Sequence, residues 1–136
     1  MSSPTEWPTT SVWPSVRCRD TRALIDFLVA AFGFEEHFSV PGEDGKGIIH
    51  AQIRWPDGGG VMLGDADRGD TDHLALPLGP VSIYVVTDQP DALHDRSVAA
   101  GARVVRGLRD EEYGSRGFSC LDPEDNVWSF GTYSGE

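Results

Sequence analysis

Two helical stretches in matching positions, one in each half of the chain, constrain the fold more than any other feature. Asp20 precedes a stretch, Thr21 to Phe32, whose apolar residues Ala23, Leu24, Phe27, Leu28, Ala31 and Phe32 recur at helical spacing. Its carboxylate suits an N-cap, and Gly33 suits a left-handed stop. In the second half Asp88 takes the cap position, Pro90 fits the first turn, and Ala92, Leu93, Val98 and Ala99 form the apolar set before Gly101. Asp20 to Asp88 and Gly33 to Gly101 each span 68 positions, half of the 136 residues. β-branched and aromatic runs flank both helices. Val12 to Arg19 precedes the first, and Phe34 to Val40, Ile48 to Trp55 and Val61 to Gly64 follow it. Val81 to Thr87 precedes the second, and Ala102 to Arg106, Gly117 to Leu121 and Val127 to Tyr133 follow it. The order βαβββ therefore occurs twice. A half of this size cannot cover its own sheet, so the halves must share a core. The expected organisation is an N-terminal arm over 1–11, a first module over 12–64, an Asp-, Gly- and Pro-rich linker over 65–80 and a second module over 81–136.

Charge limits the partners. Twenty-two acidic against 11 basic residues leave a net charge of −11, which repels nucleic acid and anionic membranes. No apolar run has the length of a membrane span, and Met1 to Thr10 is polar and Pro-rich without a signal-peptide pattern. Cys18 and Cys120 form no CxxC pair and fall in strands, so free thiols and a cytoplasmic location are expected. Acidic residues gather at Glu43-Asp44, Asp65 to Asp72, Asp110 to Glu112 and Asp122 to Asp125. They serve solubility or draw a cationic ligand.

The closing segment, Tyr113-Gly-Ser-Arg-Gly-Phe-Ser-Cys-Leu-Asp-Pro-Glu-Asp-Asn-Val-Trp-Ser-Phe, reads as strand, tight turn and returning strand. Pro123 presets φ, and Asp122 and Asn126 can bond their own backbone. This DPxxN hairpin, with the capped helices and the repeat, resembles the vicinal oxygen chelate superfamily. That superfamily includes glyoxalase I, extradiol dioxygenases, fosfomycin-resistance enzymes and bleomycin-resistance proteins. The resemblance runs from Val12 to Tyr133, and the YGSRGF segment is most similar to the bleomycin-resistance-like branch. It departs at Asp125, where the family turn commonly has Gly. The resemblance implies an α+β fold of two tandem βαβββ modules whose curved sheets make a cup, with two chains often pairing to complete it.

In metal-using members the cup holds a divalent ion. The resemblance places the ligand positions at Trp13, Met62, Val81 and Ser129, and none of these is a metal ligand. No metal or other cofactor is therefore expected. The histidines His37, His50, His73 and His94 show no HxH or HxxxH spacing. His73, beside Asp72, is a solvated histidine or part of a loop metal site. Alternation puts His50, Gln52 and Arg54 on one strand face and Ala51, Ile53 and Trp55 on the other, so His50 and Gln52 point into the cup. His50 is either a hydrogen-bonded strand histidine or a site residue. By the same alternation Trp13, Ser15 and Arg17 face inward, with Val81, Ile83 and Val85, while Ser82, Tyr84 and Val86 turn away. Val127, Ser129 and Gly131 are inward as well.

The expected ligand-binding set is Trp13, Ser15, His50, Gln52, Trp55, Met62, Val81, Ile83, Arg116 and Ser129. Arg116 pins its loop or meets a ligand carboxylate. A pocket of this make-up suits an organic ligand, with aromatic residues for stacking. The function that follows is a metal-free, homodimeric small-molecule-binding protein of the bleomycin-resistance type. It would sequester an aromatic natural product or antibiotic, a cationic one if the loop acids draw it. The alternative is an enzyme in the same cup: a glyoxalase-like lyase or dioxygenase, or a metal-free isomerase or cyclase with His50 as catalytic base.

Overall fold

The computed structural model describes residues 10–66 and 78–135. The first nine residues of the expected arm, linker residues 67–77 and His73 lie outside the described residues. The elements are β1 (Ser15–Cys18), α1 (Thr21–Phe32), β2 (Glu35–Pro41), β3 (Ile48–Arg54), β4 (Gly60–Asp65), β5 (Ser82–Val86), α2 (Pro90–Ala99), β6 (Arg103–Asp110), β7 (Arg116–Leu121) and β8 (Val127–Gly131). They build two four-stranded sheets, β1-β4-β3-β2 and β5-β8-β7-β6. In each sheet the first strand runs parallel to the fourth, and the remaining pairs are antiparallel. This is the α+β fold of two tandem βαβββ modules. No helix among the described residues is long and apolar enough to cross a membrane.

The first helix has the limits its sequence implies. Asp20 accepts from the Ala23 N–H at 3.1 Å, and Gly33 closes the helix at φ 88°. The second helix departs by one residue. Pro90 occupies the start, so the N-cap is Gln89 and not Asp88, and Gln89 makes no side-chain cap bond. Instead Thr87 Oγ1 accepts from the Gln89 N–H at 3.1 Å. The buried side of α2 is Pro90, Leu93 and Ser97, while Ala92, Val98 and Ala99 are exposed. The cap offset is thus one more than the 68 expected, and the strand before the helix shifts with it. Since a strand has a period of two, a slip of one exchanges its faces. In β1, Val16 and Cys18 are buried; in β5 their counterparts are Val85 and Thr87. Val81, Ile83 and Val85 therefore face the core, and Ser82, Tyr84 and Val86 face away, the reverse of the expectation.

The two sheets turn their helix-bearing faces toward each other. Val16, Ala51, Ile53 and Leu63 of the first sheet join Phe118, Trp128 and Phe130 of the second in one buried cluster with α1 residues Leu24, Ile25 and Leu28. Ring contacts cross between the modules: Phe32 to Phe130 at 4.7 Å, Phe34 to Trp128 at 5.5 Å and Trp55 to Phe130 at 6.1 Å. Each large ring so buried stabilises the fold by about 1.5–3 kcal/mol. Polar bonds tie the halves as well. Arg96 of α2 donates to the carbonyls of Ala30 and Val29 at the end of α1, and Glu124 accepts from the Arg19 and Asp20 N–H groups. With the shared core between the sheets, both opposite, concave faces look outward.

Candidate functional site

On the first sheet the register lays the concave face out in rows. Ser15 of β1 lies beside Met62 of β4, which lies beside Gln52 of β3 and then Phe38 of β2. One row along are Arg17, Gly64, His50 and Val40. The amide nitrogen of Gln52 donates to His50 Nε2 at 3.2 Å, and the Phe38 ring lies 5.8 Å from the imidazole. At the other end Arg54 stacks over Trp13, 4.7 Å from the ring centroid. The indole lies on Gly60, where a Cβ would come within 2.7 Å of it; only glycine permits that approach. Trp13 is further fixed by its Nε1 donating to Thr10 O at 3.0 Å.

On the second sheet the equivalent row is Tyr84, Ser129, Ser119 and Arg106. These residues line a hollow of about 200 Å³ with Tyr113, Glu111, Gly117 and Gly131. The Ser119 and Ser129 hydroxyls, 2.7 Å apart, form its floor. Tyr84 donates to Tyr133 O at 2.6 Å, and burial is the first cause that pushes its phenol pKa up. The phenol passes over Gly131, where a Cβ would meet the oxygen at 2.8 Å. Tyr113 and Tyr133 meet edge to face at 5.7 Å and form the rim.

The structure brings Trp13, Ser15, His50, Gln52 and Met62 together on one concave face and places Ser129 on the other. It places the remaining expected residues elsewhere. Val81 and Ile83 turn toward the core, for the reason of register given above, and with Ser15 and Tyr84 they line a separate hollow of about 340 Å³. Trp55 packs at a tilt against Phe34, centroids 5.0 Å apart, donates to Val86 O at 3.2 Å, and lines a hollow of about 400 Å³ with Phe34 and Ile83. Arg116 shares its strand side with buried Phe118 and grips Asp91 of α2 at 2.8 and 3.0 Å. It pins helix to sheet and does not enter the hollow. Tyr84, Tyr113, Ser119 and Arg106 line the 200 Å³ hollow of the second sheet without having been expected from the sequence. The signal for Tyr84 was Pro90, because a proline that opens a helix makes the preceding residue the cap.

A divalent ion fits this arrangement poorly. The register sets Ser15, not Trp13, beside Met62, and Tyr84, not Val81, beside Ser129. Those four side chains offer two aliphatic hydroxyls, a thioether and a phenol, which are weak donors for Zn²⁺, Mn²⁺ or Fe²⁺. Among the described residues no three His, Cys, Asp or Glu side chains converge.

Many of the acidic residues expected to draw a cation have other partners. Asp65 is buried and accepts from the Thr21 hydroxyl at 2.6 Å and the Ile48 N–H at 2.9 Å. Asp110 lies against Arg116, Glu111 against Arg106 and Arg109, and Asp125 against Arg103. Asp122 is enclosed by its own turn.

Similarity to known proteins extends over most of the chain. The family model "Glyoxalase/Bleomycin resistance protein/Dioxygenase superfamily" matches residues 10–130. The uncharacterized protein Rv0887c of Mycobacterium tuberculosis is 38% identical over 123 residues, covering 87% of this chain and 71% of that one. Among solved structures, TioX from Micromonospora sp. ML1 superposes with a TM-score of 0.79 at 28% identity, covering 90% of this chain and 98% of that one. A glyoxalase/bleomycin resistance protein from Streptomyces sp. CB03234 follows at 0.65 and 26%, covering 85% and 94%. Lactoylglutathione lyase from Agrobacterium tumefaciens shares the fold at 0.68 and 19%, covering 91% and 93%. The matched span takes in both modules and both concave faces, and the chain belongs to the glyoxalase/bleomycin resistance/dioxygenase superfamily.

Proposed function

We propose that this chain is a small-molecule-binding protein of the bleomycin-resistance type, which holds an aromatic natural product or antibiotic between concave faces as a homodimer, without a metal. The observation that carries this reading is the make-up of those faces: aromatic walls at Trp13, Phe38, Tyr84 and Tyr113 around a hydroxyl floor at Ser119 and Ser129. Planar rings stack on such walls, and hydroxyls orient them. The second face's hollow, about 200 Å³, is smaller than the roughly 300–1,000 Å³ usual for a drug-sized ligand. Two half-cups facing each other across a dimer would supply the missing volume. The edge strands β1, β2, β5 and β6 each leave one edge without a strand partner among the described residues, open to such pairing.

The test is calorimetric titration of the full chain with a panel of aromatic antibiotics, followed by Trp13→Ala. Binding should weaken roughly tenfold when the indole is removed. An unchanged affinity for a confirmed ligand would refute the placement of the site. A second reading, a metal-free isomerase or cyclase, draws on His50, which the Gln52 bond fixes on the concave face and whose Nε2 would take a proton only as that bond breaks. NMR of the recovered ligand separates the two: a binding protein returns it unchanged, whereas an enzyme returns a product whose formation His50→Gln abolishes.

A further inference from the structure

We infer that the ligand of the concave faces is an organic anion, an aromatic body carrying a carboxylate or a similar oxyanion. This rests on the small-molecule-binding reading and decides the sign of the charge. The chain is acidic overall, yet its concave faces carry arginines. Arg17 and Arg54 lie on the first face, and Arg106 and Arg109 lie on the second, opposite Ser119 and Gly117. Glu35, at the exposed rim, pairs with Arg54 in the register, and among the described residues Glu111 lies against both Arg106 and Arg109.

Arg17 is the most telling of these. It is half-buried beside Gly64 and next to Ser15, one row from Met62. Its Nη2 donates to Ala66 O at 2.7 Å, its Nε is buried without a hydrogen-bond acceptor, and no carboxylate pairs with it among the described residues. A partly desolvated guanidinium with no carboxylate against it among the described residues is unfavourable, and a bound oxyanion would relieve it by a forked pair of charge-assisted bonds. On the second face the guanidinium groups of Arg106 and Arg109 share the Glu111 carboxylate beside the hollow. There the two serines need one proton between them, which leaves the other hydroxyl proton for a ligand oxygen. A cationic ligand would meet the Arg17 guanidinium on the first face and a hollow flanked by two arginines on the second.

The probes are 1-naphthoate, 1-naphthylmethylammonium and neutral 1-naphthalenemethanol, one ring system with three charges, titrated calorimetrically into the full chain at low ionic strength. The naphthoate should bind at least about tenfold more tightly than the ammonium. Arg17→Met, which keeps the apolar stem, should lower naphthoate affinity by about tenfold or more, and Arg17→Lys, which keeps the charge but loses the fork, should fall between Arg17→Met and the wild type. Tighter binding of the ammonium, or naphthoate binding unchanged by Arg17→Met, overturns the inference while leaving the binding function standing. If none of the three binds the wild type, the small-molecule-binding reading falls and the inference falls with it. Should circular dichroism show Arg17→Met unfolded, the wild-type preference and Arg17→Lys decide the matter.

Discussion

At the scale of single residues, Asp122 does more for this fold than any surface ion pair. It is 1% exposed, and its two oxygens accept from the Glu124 and Asn126 N–H groups, the Asn126 amide and the indole of fully buried Trp128. One carboxylate thus closes the β7–β8 turn and satisfies the largest core side chain. Asp122→Ala would leave the indole N–H and two turn N–H groups without acceptors, and should cost about 3 kcal/mol in urea unfolding. A loss under about 1 kcal/mol would mean that the turn repacks around water. The two cysteines make a separate point about pH. Cys18 and Cys120 are fully buried, and burial pushes both thiols up to about 12. The unfolded chain releases those protons at about 8.5, whereas the native chain keeps them. Their contribution is therefore intact below the unfolded value and falls as pH rises toward 12. Native protein should show no thiol reactive toward Ellman's reagent at neutral pH and two in urea. Stability should drop between neutral pH and pH ~10, and less steeply in a Cys18→Ala/Cys120→Ala variant, which lacks both thiols.

At the scale of elements, the first module was legible and the second was legible in order but not in phase. In the first, Asp20 is the single good cap before an uninterrupted apolar pattern, and Gly33 is the single stop. In the second, Asp88, Gln89 and Pro90 compete for the helix start. Proline wins, because its fixed φ and missing N–H suit the first helical position, and it makes Gln89 the cap. The aspartate was the more attractive residue and the wrong one. That single step exchanged the faces of β5 and hid Tyr84, whereas the faces of β1 and β3, read from the same alternation with the right phase, held for Ser15, Arg17, His50 and Gln52. Arg116 was placed in the ligand-binding set, although its alternation with Gly117 and Ser119 puts it on the helix side, where it grips Asp91. Because Gln89 makes no side-chain cap bond, Gln89→Ser or Gln89→Asp should stabilise the protein by about 0.5–1 kcal/mol. Asp88→Ala should change stability by less than about 0.5 kcal/mol. Thermal unfolding of the three variants measures this, and a larger loss from Asp88→Ala than gain at position 89 would restore Asp88 as the cap.

At the scale of the whole molecule, the consequence of two sheets packed through their helix faces is that one chain presents two outward faces, the two half-sites of the proposed function. Trp13, Ser15 and Met62 belong to one half, and Tyr84, Ser119 and Ser129 to the other. If a homodimer joins the first face of one protomer to the second face of its partner, each complete cup draws on both chains. Damage to either face then removes both cups of a homodimer. Trp13→Ala takes the stacking wall from the first face, and Ser129→Leu fills the hollow of the second. Each variant alone should bind 1-naphthoate weakly. Mixed in equal amounts, unfolded and refolded together, about half of the dimers should contain one chain of each kind. In those, one cup receives both altered faces and the other receives both intact ones. Roughly a quarter of all cups should therefore recover wild-type affinity, seen as a tight phase of about that stoichiometry in the titration. A site contained within one chain admits no such recovery, because every chain in the mixture carries one defect. The refolded mixture is compared with the same two variants mixed without unfolding, where subunits have not exchanged and no tight phase is expected at early times. A tight phase in the refolded sample alone would establish that the site is shared between protomers. Its absence, in a sample that sedimentation shows to contain mixed dimers, would assign ligand binding to the single face that carries it.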